Sequence, residues 1–368
     1  LAAVAPVGDP DWVRLRGDNA LTLTSATPAL PLDNFFALNP AMPNLARMYR
    51  AGHAIIVHAV ASPYRERSHF DGQDVLESGF IKPGASDTGW LNRALATMAP
   101  AARARGGKEA FAVGPVTPLI VRGAAPVMSW TPPKLPPATQ DTVMRLLDLY
   151  RHTDPALARA LEERVDLAKI AREGGLAMGL QKAGMPAQKG PGAYIKKYFA
   201  DSAGAAAKFL ARDDGPRIGA LAFEGWDTHA DEGVASGHLA LWLDALDGAL
   251  AAVESGMGPA WQETVVTVVT EFGRTARING TAGTDHGTAT VAFLAGGALK
   301  GGRIIADWPG VGQAHLYEDR DLKPTTDLRA VLKGLLRDHL RVDVRALEHD
   351  VFPGSAGVKP MGGLVISA

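Results

Sequence analysis

No cysteine occurs among the 368 residues. Its absence excludes disulfides, thiolate nucleophiles, zinc fingers and iron–sulfur clusters together. Neither sign of charge dominates: 38 Lys and Arg stand against 39 Asp and Glu, a formal net charge of −1. Such a chain projects no general field toward nucleic acid or an anionic membrane, so neither is expected as a partner. Long apolar runs are missing as well. The richest stretches, Thr264–Thr270 and Thr290–Leu294, are strand-length, well short of the about 18 residues a membrane span needs. No secretion signal is visible, and the chain opens Leu1-Ala-Ala-Val-Ala-Pro without an initiator Met, which reads as a processed or trimmed form. What is present is an ordinary globular balance, 46% hydrophobic and 21% charged, in a length that suits one large α/β domain or two modest ones, and a single domain over residues 1–368 is the expectation.

After a loop-rich start, a helix is predicted over Asn44–Ala51, stopped by Gly52. Ala54-Ile-Ile-Val-His-Ala-Val60 is apolar on both faces, as a buried parallel strand should be, and His58 inside it reads as a hydrogen-bonded core histidine. Helices are expected over Ser68–Glu77, Gly89–Ala99, Gly237–Val253 and Asp327–His339. Strands are expected over Glu109–Val113, Pro118–Val121, Ile218–Phe223, Val265–Thr270 (a central one) and Thr290–Ala295. Residues 138–213 are rich in Ala, Leu, Glu, Arg and Lys with helical spacing and read as a helical insertion. Alternating strands and helices imply a mostly parallel, doubly wound sheet with helices on both faces.

In such sheets ligands sit beyond the carboxyl ends of the strands, and three strand ends carry chemistry. After Ile218–Phe223 come Asp227 and His229 on a turn. A hard oxygen and a borderline nitrogen two residues apart can share one divalent cation; an Asp capping the next helix beside a surface His is the equal alternative. After Val265–Thr270 come Glu271, Arg274 and, beyond a polar loop, Asp285-His286-Gly287. A charge at the end of a buried strand needs a partner, either a metal or Arg274, and Gly287 lets backbone approach closely. After Ala54–Val60 comes Arg65-Glu-Arg67-Ser68-His69-Phe-Asp71. A Ser at a helix N-terminus sees free N–H groups that favour an alkoxide or a bound anion, although Ser68-x-x-Asp71 taken alone reads better as a helix cap. Two acid/His pairs at consecutive strand ends favour the metal.

Arg67-Ser-His-Phe-Asp-Gly-Gln-Asp-Val-Leu-Glu-Ser-Gly79, Gly89-Trp-Leu-Asn-Arg93, Gly225-Trp-Asp-Thr-His229, Thr270-Glu-Phe-Gly-Arg-Thr275, Asp285-His-Gly287 and Pro324-Thr-Thr-Asp327 form an ordered set over nearly the whole chain. This set resembles the bacterial proteins grouped as domain of unknown function 1501. That family looks related to the alkaline phosphatase and sulfatase superfamily. The resemblance implies an alkaline phosphatase-like fold, a metal-dependent hydrolytic site and export by the twin-arginine route to the periplasm or beyond. It also implies an initial central strand with a metal-binding Asp, which would precede Leu1. On this resemblance Asp285 and His286 match the superfamily's Asp-His metal pair, Asp227 and His229 its earlier pair, and Ser68 its hydroxyl nucleophile. Glu271 stands where that Asp-His pair usually follows its strand, and is a further ligand candidate.

The expectation is a metal-dependent hydrolase of a small phosphate or sulfate ester. Its catalytic candidates are Ser68, His69 and Arg274, and its anion-binding candidates Arg65 and Arg67. Its metal ligands are Asp227, His229, Glu271, Asp285 and His286. The cofactor is a divalent cation, Zn first, with Mn, Ca or Fe as alternatives. The rival expectation is an exported binding or assembly protein that keeps the fold without the chemistry.

Overall fold

The computed structural model describes residues 1–98, 110–113, 117–130, scattered positions between 146 and 162, and 191–366. In chain order these are β1 (Val4–Ala5), α1 (Trp12–Arg16), β2 (Leu30–Pro31), β3 (Ala37–Leu38), α2 (Pro43–Arg50), β4 (Ala54–Ala61), α3 (His69–Ser78) and α4 (Trp90–Thr97). There follow β5 (Ala110–Val113), β6 (Val127–Trp130), α5 (Pro191–Leu210), β7 (Ile218–Leu221), α6 (His238–Met257), β8 (Val266–Val268), β9 (Thr290–Ala295), β10 (Arg303–Ile305), β11 (Thr326–Asp327) and α7 (Leu328–Asp338). No described helix is long and apolar enough to cross a membrane.

β4 is buried at every position, and its alternation explains why. Ile55 and Val57 face α4 and α7, packing on Trp90, Ala94, Leu328 and Leu332. Ala54 and Ile56 face the other way, onto α2 and α6 through Leu45, Met48, Leu243 and Leu246. Each large aliphatic side chain buried in this way contributes about 1.5–3 kcal/mol. Helices therefore cover both faces of β4, and the fold is mixed α/β.

The sheet itself departs from the parallel, doubly wound expectation. Its order is β10-β4-β9-β8, with β11 beside β4. β10 and β11 run parallel to β4, but β9 lies antiparallel to both β4 and β8. A second sheet, β6-β5-β7, is parallel, and the small β1-β3-β2 sheet is antiparallel. Burial on both faces makes β4 read as part of a parallel sheet; yet it comes from the helices on either side, whichever way the neighbours run. Strand direction is set by the connections, and the long chain between β4 and β9 permits either.

Two further expectations are corrected. Pro118–Val121 is no strand: Leu119–Val121 forms a 3₁₀ turn closed by Val121 N–H to Pro118 O at 3.2 Å. Val265–Thr270 pairs only over Val266–Val268 and forms the sheet's outer strand rather than a central one. Of the helical insertion, α5 lies within the described residues and packs Phe199 and Ala203 on Ala245 and Ala249 of α6. Most of Val143–Tyr150 and Ala156–Ala171 lies outside them.

Strand direction also places the site. β8 runs the same way as β4, so both end at one edge, and the antiparallel β9 begins there, with Thr290 opposite Val60. The segments after β4, after β8 and before β9 thus meet at a single edge.

Candidate metal centre

At that edge the turn after β4 is held by ionic anchors. Arg67 has a positive φ of 59°, a conformation a side chain rarely adopts. Its guanidinium reaches Asp321 at 2.9 Å and Glu318 at 2.5 Å. The turn aims the Arg67 carbonyl at His286 Nδ1, 2.8 Å away, and starts α3 at His69 with Ser68 in the N-cap position. The His69 ring lies 4.9 Å from the Phe272 ring and 4.3 Å from that of His286.

The three remaining segments, after β7, after β8 and before β9, are laced together by backbone. Thr284 N–H donates to Thr228 O at 3.1 Å, and Asp231 N–H to Thr281 O at 3.0 Å. Thr275 N–H donates to Asp285 O at 2.9 Å, and Gly287 N–H to Gly273 O at 2.8 Å. A Cβ at Gly287 would stand 2.5 Å from the Arg274 carbonyl carbon, so this approach requires glycine.

Side chains from all four segments converge. Asp227 Oδ1 lies 3.0 Å from His229 Nε2 and 3.1 Å from His286 Nε2, and those two nitrogens are 3.0 Å apart. His69 Nε2 is 3.3 Å from Asp227 Oδ2, yet it is buried and makes no hydrogen bond. His69, Asp227 and His286 offer donor atoms all within 4.8 Å of one another.

The far side of each ring fixes its tautomer. His286 Nδ1 meets a carbonyl, which only accepts, so it carries the proton. His229 Nδ1 meets Asp285 Oδ1 at 3.1 Å, and His69 Nδ1 meets Glu271 Oε1 at 2.7 Å; carboxylates likewise accept. With the proton on Nδ1, the neutral form of each imidazole would turn a bare Nε2 lone pair toward the Asp227 carboxylate. Lone pairs on His229 and His286 at about 3 Å from each other and from the Asp227 carboxylate, with His69 Nε2 3.3 Å from its other oxygen, repel one another unless positive charge sits among them, as an extra ring proton or a cation. The spacing suits a cation: tetrahedral bonds of about 2.0 Å leave ligand atoms about 3.3 Å apart.

The acids are held ready to be ionised. Burial pulls the Asp227 carboxyl upward, but the Arg274 hydrogen bond and charge, with His229 and His286, outweigh it and leave it below the usual range. Asn279 and then His229 hold Asp285 below that range too.

This constellation lies within the stretch that matches a protein family, residues 52–351. The chain belongs to the DUF1501 family, described as a protein of unknown function. No curated protein and no solved structure matches it.

Within this DUF1501 chain the sequence candidates take distinct places. Asp227 and His286 meet His69 with donor atoms within 4.8 Å of one another, and His229 Nε2 stands 3.0 Å from both Asp227 Oδ1 and His286 Nε2. Glu271 and Asp285 stand behind imidazoles, at Nδ1. Arg274 reaches Asp227 Oδ1 at 2.5 Å and braces itself on Thr284; Glu271 pairs with His69 instead of forming the alternative ion pair with Arg274. Ser68 gives α3 no side-chain cap; its N–H donates to Tyr64 Oη at 3.2 Å. The guanidiniums of Arg65 and Arg67 turn to protein acceptors, Arg65 to the carbonyls of Ser62 and Tyr64. Sequence reasoning misses Asn279, Thr284 and the Arg67 carbonyl. The polar loop before Asp285 is the only signal for the first two, and a backbone carbonyl leaves none.

Proposed function

We propose that this chain is a metal-dependent hydrolase of a phosphate or sulfate ester. The supporting observation is the gathering of His69, Asp227 and His286 donor atoms within 4.8 Å of one another, with His229 Nε2 3.0 Å from both Asp227 Oδ1 and His286 Nε2. His69, Asp227, His229 and His286 would hold one divalent cation, with Glu271, Asp285 and the Arg67 carbonyl orienting the rings. Three nitrogens and one oxygen suit Zn, Mn or Fe better than Ca, which prefers oxygen throughout. Bound there, the cation supplies Lewis acidity toward the ester oxygens and lowers the pKa of a nucleophile.

The protein's own groups carry the rest of the chemistry. Ser68, next to His69 in the chain, stands at the start of a ten-residue helix whose first N–H groups have no intrahelical partner. Its Oγ would attack phosphorus or sulfur in line, expelling the ester oxygen, and water would then release the phosphoryl or sulfuryl group from the serine. Arg274 would face the negative charge that spreads over the transferred group. The rival reading, a binding or assembly protein without turnover, draws on the commitment of Arg65 and Arg67 to protein acceptors.

Metal analysis and turnover of p-nitrophenyl phosphate and p-nitrophenyl sulfate decide between them. The hydrolase reading expects bound metal and turnover that disappears in chelator, in Ser68→Ala and in Asp227→Ala. Metal without turnover favours the binding protein. Equal turnover in the wild type, Ser68→Ala and Asp227→Ala overturns the proposed site.

A further inference from the structure

Asn279 touches none of the four converging donors, yet it is tied to both segments that supply acid/His pairs. Its Nδ2 donates to His229 O at 2.9 Å and to Asp285 Oδ1 at 3.1 Å. Its Oδ1 accepts from Thr281 N–H at 3.0 Å, Thr281 Oγ1 at 2.9 Å and Gly283 N–H at 2.9 Å. Its own N–H donates to Gly283 O at 2.8 Å. One carboxamide therefore uses both ends: the oxygen shapes the 279–283 turn, and the nitrogen binds across to the backbone of His229 and the side chain of Asp285. Asp285 Oδ1 is the same atom that faces His229 Nδ1.

We infer that Asn279 is a positioning residue for the metal centre, acting through Asp285 to keep the His229 proton on Nδ1 and the Nε2 lone pair free. The inference rests on the metal reading above. Asp285 is about half exposed at its side chain, so its own packing does little to fix it. Without the Nδ2 donor, the carboxylate turns freely toward water and His229 gains access to the tautomer with its proton on Nε2. That tautomer cannot bind a cation through Nε2. The cost lies in organising the ligand set, so it falls on affinity whatever charge replaces the amide.

Two substitutions separate positioning from electrostatics. Asn279→Asp keeps an oxygen for the 279–283 turn and replaces the Nδ2 donor by a charged acceptor. Asn279→Ala removes both ends. If Asn279 mattered only through local charge, Asn279→Asp would tighten cation binding. Positioning requires both variants to weaken it, by about 10–100-fold. Zn2+ affinity is measured by chelator competition on the full chain, alongside the thermal midpoint of the metal-free protein. In the Zn2+-loaded wild type, the His229 Nδ1 proton should appear in an imidazole 1H–15N spectrum and broaden or vanish in both variants.

Unchanged or tighter Zn2+ binding by Asn279→Asp, with the His229 proton intact, overturns the role of Asn279 and leaves the metal reading standing. A wild-type chain that takes up neither Zn2+ nor Mn2+ overturns both. Weaker binding in both variants together with loss of the His229 signal supports the inference. Weaker binding with the His229 signal intact overturns it in favour of a merely structural loss.

Discussion

Asp227 Oδ1 is met by His229, His286 and Arg274 at once, so the consequences of losing its charge are sharp. Asp227→Asn keeps the shape, removes the anion and gives one terminal atom two hydrogens that face ring nitrogens. Zn2+ affinity is expected to fall by at least about 100-fold, since even groups one step removed from a metal cost 10–100-fold; chelator competition reads this directly, and a loss under threefold rejects Asp227 as a ligand. How much of this the sequence discloses depends on the atom. The pairs Asp227/His229 and Asp285/His286 stand out as residue types at strand ends, and they do gather. Which nitrogen points inward is set by acceptors from remote segments, Glu271 for His69 and the Arg67 carbonyl for His286, and spacing carries no trace of that choice. Hence Glu271 and Asp285 read as ligands in the sequence, while they sit behind rings in the fold.

A different histidine, also a matter of single residues, couples stability to pH. His58 is fully buried in β4; its Nδ1 accepts from Ala59 N–H at 2.8 Å, and its Nε2 faces Val4 O at 3.1 Å. Burial pushes its pKa down to about 3. The unfolded chain binds a proton near pH 6.5 and the folded one does not, so stability falls as pH drops from about 6.5 toward 3. Between pH 7 and pH 5 this residue alone should remove about 2 kcal/mol. Urea unfolding at both pH values, in wild type and His58→Gln, checks it: the variant should be less stable at pH 7 and lose about 2 kcal/mol less on acidification. Equal losses would mean that His58 is protonated in the fold.

Elements decide what single residues cannot. The helices on both faces of β4 answer to its apolar run, and its limits are legible in the sequence to within one residue. The direction of β9 is not, because an apolar six-residue strand looks alike either way round. That ambiguity leaves the site's place intact: an antiparallel strand brings the residues before it, Asp285-His286-Gly287, to the edge where parallel strands bring the residues after them. Gly287 is the joint in that arrangement. Gly287→Ala would force its Cβ onto the Arg274 carbonyl carbon, 2.5 Å away and part of the backbone. The Arg274–His286 bridge would have to open. An expected loss of about 2–4 kcal/mol in folding stability should come with loss of metal binding. Unfolding curves and Zn2+ titration measure both, and an alanine variant with wild-type values for both would show that the two segments have room to part.

At the scale of the whole molecule, the converging side chains join stretches that are far apart in sequence: His69 after β4, Asp227 and His229 after β7, Glu271 and Arg274 after β8, Asp285 and His286 before β9. Opening any of them scatters the donors, so a bound cation favours the state in which all are folded. A ligand that binds only the folded chain adds RT ln(1 + [L]/Kd), about 2.7 kcal/mol at a hundredfold excess over Kd. The cation would also tie together side chains that only this edge brings into reach, so the metal-free protein should be weakest at this edge of the sheet. The thermal midpoint is therefore expected to rise by several degrees with Zn2+ and to fall again with chelator. Amide exchange should slow most in residues 227–232 and 273–287, while β4 keeps its protection throughout. A uniform change in protection, or none, would mean that the cation does not bind where the four donors converge.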